Sequence, residues 1–285
     1  MQESNNRFTV ALVQTDSGPC REENLARACQ AIDEASSHGA QLICFPEHMD
    51  LMTLSPAPEN CEPPLESGEV GEAVATLAEH AKANKVYVHC GSFFERIEGD
   101  TRFYNTSVLI EPDGGMLARY RKLHAFDVTL PDGTEVRESD RMKPGTEIVT
   151  VSTPLATFGF AICYDLRFPE LFRALALKGA QVIFCPANFT QPTGQAHWET
   201  LVRARAIENG CYIVAPGQCG EKPEFVANGN SMVVDPWGTV LARGGNEPTI
   251  LYANIDLDEL NRVRSALPCL ANRRNDVYGN LGTEL

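Results

Sequence analysis

The segment Gly39-Ala40-Gln41-Leu42-Ile43-Cys44-Phe45-Pro46 recurs, at an offset of 140, as Gly179-Ala180-Gln181-Val182-Ile183-Phe184-Cys185-Pro186. Each copy has a glycine suited to ending a helix, then a short apolar run, then a proline. The glycine supplies the left-handed conformation of a helix stop. An unbroken apolar run of this length reads as a strand buried on both faces, and proline ends it. A chain that carries this unit twice is constrained to two related halves, each a sheet with helices on one side. The copies part after the proline, where Glu47 stands in the first and Ala187 in the second. No linker separates the halves. The expectation is one α/β domain over residues 1–285, two packed sheets covered by helices, with a core of about 8–265 and a tail of 266–285.

The remaining elements alternate. Strands are expected over 8–14, 41–45, 86–93, 106–111, 116–120, 147–152, 156–163, 181–185 and 211–215, with a closing β-meander over 231–255. Helices are expected over 21–37, 71–84, 169–178, 195–208 and 256–265. Pro169 suits a first helical turn, and Pro112-Asp113-Gly114-Gly115 reads as a hairpin turn.

Charge narrows the partners. The chain has 24 Lys and Arg against 38 Asp and Glu, a net charge of −14. That argues against nucleic acid and against an anionic membrane surface, both of which call for a basic face. Arg27 and Lys82 bound a stretch with no Lys or Arg and ten acids; apart from Glu47, these acids are expected to face solvent or an oligomer partner. Residues 55–71, with four prolines and two glycines, read as an exposed loop. The polar start shows no leader pattern, and no apolar run approaches a membrane span of about 20 residues. The ten cysteines are scattered without a C-x-x-C pair, which fits buried thiols in a reducing cytoplasm better than zinc or disulfides.

Three side chains stand where chemistry collects. Cys163 closes an apolar strand and precedes a helix, a position presented at the carboxyl edge of a sheet. A thiol there is either a structural core cysteine or a nucleophile. His124 and His197 are possible partners, but neither has an evident Asn or Asp to orient it. Glu47, after its own strand, is the alternative base; apolar neighbours would raise its pKa, and its bland reading is a loop carboxylate. Lys122, in Arg119-Tyr120-Arg121-Lys122-Leu123-His124, is either a solvated basic turn or a fixed cation for an oxyanion.

These residues carry a resemblance. Phe45-Pro46-Glu47, Tyr120-Arg121-Lys122-Leu123-His124-Ala125-Phe126-Asp127-Val128 and Cys163-Tyr164-Asp165-Leu166-Arg167-Phe168-Pro169-Glu170-Leu171 resemble the Glu, Lys and Cys motifs of the nitrilase superfamily of carbon–nitrogen hydrolases. Order and spacing agree over nearly the whole chain. The Cys motif, with His197-Trp198-Glu199 and Gly229-Asn230-Ser231-Met232, is similar to the amidase branch of omega-amidases and deaminated-glutathione amidases. His48-Met49-Asp50 and Asn230 depart from the usual pattern. The resemblance implies a four-layer α-β-β-α sandwich of two αββ halves, no cofactor and no metal, a homodimer or higher homo-oligomer, and a small-molecule amide as substrate. It implies Glu47 as base, Lys122 as oxyanion cation, Cys163 as nucleophile, and Glu138 positioning Lys122 and the amide. The backbone N–H of Tyr164 would join Lys122 at the oxyanion. Arg167 would contact a substrate carboxylate or else pair with Glu170 or Asp165, and Asn188, Phe189 and Thr190 would line the pocket. Arg203 and Arg205, on different helical faces, are expected to pair with Glu199 or Glu208. An N-carbamoyl amidohydrolase, releasing carbon dioxide with ammonia, is the alternative activity.

Overall fold

The structure, a computed structural model, describes residues 6–53, 56–129, 133 and 135–279. The repeated unit is real at the level of hydrogen bonds. Helix α1 (Arg21–Ser37) buries Leu25, Ala28, Cys29, Ile32 and Ala35 on one stripe. It ends with Gly39 at φ 84° and with bonds from Gly39 N to Ser36 O (2.9 Å) and from Ala40 N to Ala35 O (3.1 Å). The helix 169–177 ends the same way. Gly179 sits at φ 96°, and Gly179 N and Ala180 N bond Ala176 O and Leu175 O at 3.0 Å. Both ends are the left-handed glycine stop read from the sequence.

The strands that follow pair alike. Leu42–Cys44 lies parallel between Arg7–Gln14 and Tyr87–His89; Val182–Phe184 lies parallel between Thr157–Phe160 and Tyr212–Ala215. Gln41 Oε1 accepts from Thr9 N at 3.3 Å, and Gln181 Oε1 accepts from Thr157 N at 2.9 Å. Each half then closes with a hairpin, Phe103–Ile110 with Met116–Arg121 and Met232–Val234 with Val240–Arg243. Both hairpins carry one register shift.

Four layers result. Helices α1 and α2 (Glu72–Asn84) cover the outer face of the first sheet through Ile32, Ala35, Val74, Leu77, Ile43 and Val88. The two sheets meet over Val10, Leu12, Leu42, Tyr120, Phe158, Phe160, Phe184 and Val214. Helices α3 (Pro169–Leu177) and α4 (Gln191–Asn209) cover the second sheet through Phe172, Leu175, Trp198 and Val202. Each fully buried aliphatic or aromatic side chain contributes about 1.5–3 kcal/mol relative to exposure. Helix α5 (Leu257–Ala266) is capped by Asp256, whose side chain accepts from Asp258 N and Glu259 N. Among the described residues no helix is long and apolar enough to cross a membrane.

Several expectations need correcting. The closing meander is split: Thr249–Asp256 leaves the second sheet and pairs antiparallel with Arg7–Gln14 in the first. The strand expected over 86–93 is two strands, Tyr87–His89 and Phe93–Arg96, broken at Gly91 (φ 66°). Helix α4 begins four residues earlier than expected, with Thr190 as its N-cap. Two small hairpins were not foreseen, Asp127–Thr129 with Glu135–Arg137 and Cys219–Glu221 with Val226–Asn228. The acidic stretch is not wholly solvated either. Asp50 and Glu62 are buried, held by Arg21 at 2.9 and 3.9 Å. The Glu62 carboxylate also accepts from Ala73 N at the start of α2. Burial pushes the Asp50 carboxyl up to about 7 against the pull of Arg21.

Candidate active site

Glu47 follows the strand Leu42–Cys44 and Pro46, and its main chain is fixed from three sides. Phe45 N donates to His89 O at 3.0 Å. Gln218, reaching over from the second half, donates Nε2 to Glu47 O (3.0 Å) and His48 O (3.3 Å). Gly91 passes so close that a Cβ there would lie 1.9 Å from Pro46 O. The side chain is 3% exposed. Its Oε1 accepts from Asn105 Nδ2 (2.9 Å) and Lys122 Nζ (3.2 Å), and its Oε2 from Asn188 N (2.9 Å).

Lys122 leaves the end of strand Met116–Arg121. Its main chain is tied by Lys122 N to Asn105 O (2.9 Å) and Gly145 N to Lys122 O (2.8 Å). The buried ammonium lies 3.0 and 2.9 Å from the two Glu138 oxygens. Glu138 is itself set by Phe126 N, 2.6 Å from Oε2. Burial alone would lower the Lys122 pKa, but Glu138, Glu47 and Cys163 push it well above the ordinary value. It is therefore a permanent cation shared by two carboxylates.

Cys163 is not the last residue of a strand, as expected, but the first of a 3-10 turn, Cys163–Arg167. Its φ is 49°, a conformation costing about 1–2 kcal/mol for a residue with a side chain. The turn is stapled by Asp165, which is fully buried. Asp165 Oδ2 accepts from Ile162 N (2.8 Å) and Tyr120 Oη (2.7 Å), and Oδ1 from His124 N (3.1 Å), with His124 Nδ1 at 2.7 Å. The His124 ring stacks on Phe168 at 3.6 Å. One carboxylate thus locks the Lys122 segment to the Cys163 turn, and His124 is spent on that lock. Cys163 N donates to Pro186 O at 2.9 Å. The next N–H, that of Tyr164, bonds no other described residue.

The protonation states follow. Burial and the Glu47 charge raise the Cys163 thiol well above its ordinary value, with Lys122 opposing. Burial would also raise Glu47, as expected from its neighbours, but that expectation is overturned. The Lys122 ammonium first, then the neighbouring His48, Cys163 and the Lys122 hydrogen bond, outweigh burial and hold Glu47 below the ordinary carboxyl value. The resting pair is a thiol and a carboxylate at one cavity.

A cavity of about 220 Å³ opens over these groups. Glu47, Lys122, Glu138, Cys163, Tyr164, Arg167, Asn188, Phe189 and Thr190, all singled out in the sequence, line it. No other acid of the stretch between Arg27 and Lys82 does. Arg167 pairs with neither Glu170 nor Asp165; its Nη1 donates to His197 Nδ1 (3.2 Å), and its guanidinium lies 5.4 Å from the Phe189 ring centre. Arg203 and Arg205 pair with Glu199 (3.6 Å) and Glu208 (3.0 Å), as expected. The lining also includes His48, Phe94, Arg141 and the hairpin tip Pro223-Glu224-Phe225, which had carried no motif.

A buried thiol, carboxylate and ammonium at one pocket of an α-β-β-α sandwich define a class, the hydrolases of small carbon–nitrogen substrates. Comparison with known proteins makes the assignment specific. The model of the carbon-nitrogen hydrolase family matches residues 9–265. Omega-amidase NIT2 of Bos taurus is 40% identical over 95% of this chain and 96% of its own. The deaminated glutathione amidase of Mus musculus is 42% identical over 97% of this chain and 86% of its own. The crystal structure of the C. elegans NitFhit protein superposes with a TM-score of 0.88 at 36% identity, covering 95% of this chain and 66% of that one. The chain belongs to the carbon-nitrogen hydrolase family, as an amide-hydrolysing amidase of the nitrilase superfamily.

Proposed function

We propose that this amidase hydrolyses the ω-amide of a small 2-oxo acid, or a related deaminated-glutathione-like amide, through a thioester on Cys163. The observation that carries the reading is the junction at Glu47. One carboxylate accepts from the ammonium that can hold an oxyanion and lines the same cavity as the thiol that must lose a proton.

In the first half-reaction Glu47 takes the thiol proton as Sγ attacks the amide carbonyl. No thiolate is stored beforehand, because the thiol is raised and the carboxylate lowered. The developing oxyanion is held by Lys122 Nζ and the unpaired Tyr164 N–H. Glu138 keeps the ammonium in place and faces the amide. Glu47 passes its proton to the departing nitrogen, the C–N bond breaks, and ammonia leaves a thioester behind. In the second half-reaction Glu47 takes a proton from water, hydroxide adds to the thioester carbonyl, and the C–S bond breaks. The proton returns to the thiol and the carboxylic acid is released. Every step is written with groups of this chain, with no cofactor.

Substrate class rests on charge. Arg167 lines the pocket, and no carboxylate of the described residues pairs with it, so it supports a contact with the carboxylate of a 2-oxo acid. The activities named for the omega-amidase and deaminated glutathione amidase relatives support the same class. A homodimer or higher homo-oligomer belongs to this reading. It is supported by an exposed apolar patch of Ile207, Trp237 and Leu267 around a second cleft of about 340 Å³. Cytoplasmic residence fits the cysteines, all of them unpaired.

The test is a panel of 2-oxoglutaramate, 2-oxosuccinamate, deaminated glutathione, asparagine, glutamine and simple nitriles, with ammonia and carbon dioxide both measured. The expected result is ammonia without carbon dioxide from the 2-oxo acid amides, on the order of 10²–10³-fold slower in Lys122→Ala and absent in Cys163→Ala. Carbon dioxide in step with ammonia from an N-carbamoyl compound would replace the reading with its alternative. Wild-type turnover by Cys163→Ala would overturn the mechanism.

A further inference from the structure

His48 is the residue after the base, and the sequence motif gives it no role. Three observations make it unusual. Its backbone is in the left-handed region, φ 55°, pinned by His48 N to Ser92 Oγ at 3.1 Å and by Gln218 on its carbonyl. Its ring is stacked on Phe94, with centroids 4.4 Å apart and planes within 19°. Its side chain is 13% exposed, and one of its ring nitrogens is buried without a partner. Nδ1 has no partner among the described residues, and Nε2 stands 4.0 Å from Glu47 Oε1, too far for a direct hydrogen bond. A buried polar ring left unpaired costs about 1–3 kcal/mol, and the strained backbone adds to that. Nδ1 carries that cost; Nε2, beside the Glu47 carboxylate on the pocket wall, is the atom placed to bind a group during the reaction.

The gap has the size of one water molecule. Two heavy atoms 4.0 Å apart can both bond one oxygen at ordinary lengths of about 2.8 Å. The Glu47 carboxylate accepts from Asn105 and Lys122 through Oε1 and from Asn188 N through Oε2. Acylation removes the thiol proton and carries it off on ammonia, which leaves Glu47 a carboxylate able to take a proton from water.

We propose that His48 is a positioning residue for the second half-reaction: its imidazole and the Glu47 carboxylate together hold the water that hydrolyses the thioester. The water gives its proton to Glu47, its oxygen adds to the thioester carbonyl, and the C–S bond breaks as the thiol regains that proton. His48 changes neither charge nor bonding; it fixes the oxygen through one hydrogen bond. Burial keeps the ring in its neutral form, which suits that task.

The proposal rests on the thioester reading above, and the experiment separates the two. His48→Asn keeps a residue that tolerates the left-handed backbone but shortens the polar group out of reach of the gap. His48→Gln restores reach. Ammonia and carboxylic acid release are followed on the same samples, with intact mass of the quenched enzyme and with hydroxylamine as a competing acceptor. The expected result for His48→Asn is a burst of ammonia close to one per active site, steady acid release about tenfold slower or more, thioester mass during turnover, and a larger share of hydroxamate. His48→Gln recovers part of the acid release. A fall in burst and steady rates together, with no thioester accumulating, would overturn the proposal, as would unchanged partitioning to hydroxylamine. A wild-type enzyme that forms no hydroxamate at all would instead overturn the thioester itself.

Discussion

After Phe45-Pro46 the first half of the molecule places a carboxylate. After Cys185-Pro186 the second places Ala187, which has nothing to titrate. The second turn works through its main chain instead: Pro186 O accepts from Cys163 N, and Asn188 N donates to Glu47 Oε2. The two turns follow equivalent strands in face-to-face sheets, so the duplicated scaffold brings a carboxylate and the backbone that orients it to one point. The halves also differ in what they add. The first lengthens the connection from Pro46 to α2, giving His48, Met52 and Thr53 to the pocket wall. The second adds the hairpin Cys219–Glu221 with Val226–Asn228, whose tip forms the opposite rim. Symmetric strands build the frame, and the asymmetric insertions build the pocket.

The largest effect comes from erasing the asymmetry. Glu47→Gln keeps the size and most hydrogen bonds but removes the proton acceptor, and turnover is expected to fall on the order of 10²–10⁴-fold. The buried Lys122 would still have Glu138, so the fold should hold; a Glu47→Gln enzyme with wild-type kcat would dissolve the distinction between the two turns. The same residue sets a pH limb. On the proposed mechanism activity needs Glu47 as carboxylate, so it is lost as pH falls through its pKa. That pKa is held below the ordinary value, so the acid limb of kcat/KM should lie lower than that of an ordinary glutamate. A limb near 6 would mean that burial outweighs Lys122 after all.

A smaller effect tests how tightly the first turn is clamped. Gly91 interrupts the strand expected over 86–93 with its left-handed backbone, and a Cβ there would lie 1.9 Å from Pro46 O. Gly91→Ala must push the Pro46–Glu47 peptide aside. Displacements of about 1 Å at a reacting group cost on the order of 10²-fold in rate. The expected signature is a kcat loss larger than the change in melting temperature would suggest. Full activity in Gly91→Ala would show that the turn gives way freely.

What the sequence made legible divides along the same line. Cys163, Lys122, Glu47 and Glu138 were readable because each sits in a local motif, and the two αββ halves were readable because the repeated octapeptide is local as well. What it hid was long-range. Lys122 lies 75 positions from Glu47, and its charge reverses the pKa direction that Glu47's immediate neighbours suggest. Asp50 and Glu62 look like solvated acids until Arg21, 29 residues before Asp50, is seen between them. Thr249–Asp256 reads as the end of a meander because nothing near it reveals pairing with Arg7–Gln14. Gln218 and Asp165 are polar residues whose partners lie in distant segments, and no periodicity marks them. Asp165 at least sits inside the cysteine motif, two residues past the nucleophile position; its burial is the signal that its role is structural.

The smallest effect sharpens the equivalence itself. Gln41 and Gln181 occupy the same place in the two repeats. Each side-chain oxygen accepts from the first strand of its half, and each main-chain N–H returns a bond to the same residue, Thr9 or Thr157. The two bonds are not equal. The Gln41 contact is 3.3 Å and its residue exposed, whereas the Gln181 contact is 2.9 Å and its residue half-buried. A net hydrogen bond contributes about 0.5–1.5 kcal/mol, and water replaces an exposed one more readily. Gln181→Ala should therefore cost about 1 kcal/mol in urea unfolding, Gln41→Ala about 0.5 kcal/mol, each with an unchanged m-value. Neither should alter kcat, because both lie at the amino ends of the strands and the site forms at the carboxyl ends. If the Gln41 change costs more, the first repeat relies on its glutamine in a way the second does not, and the equivalence stops at the backbone.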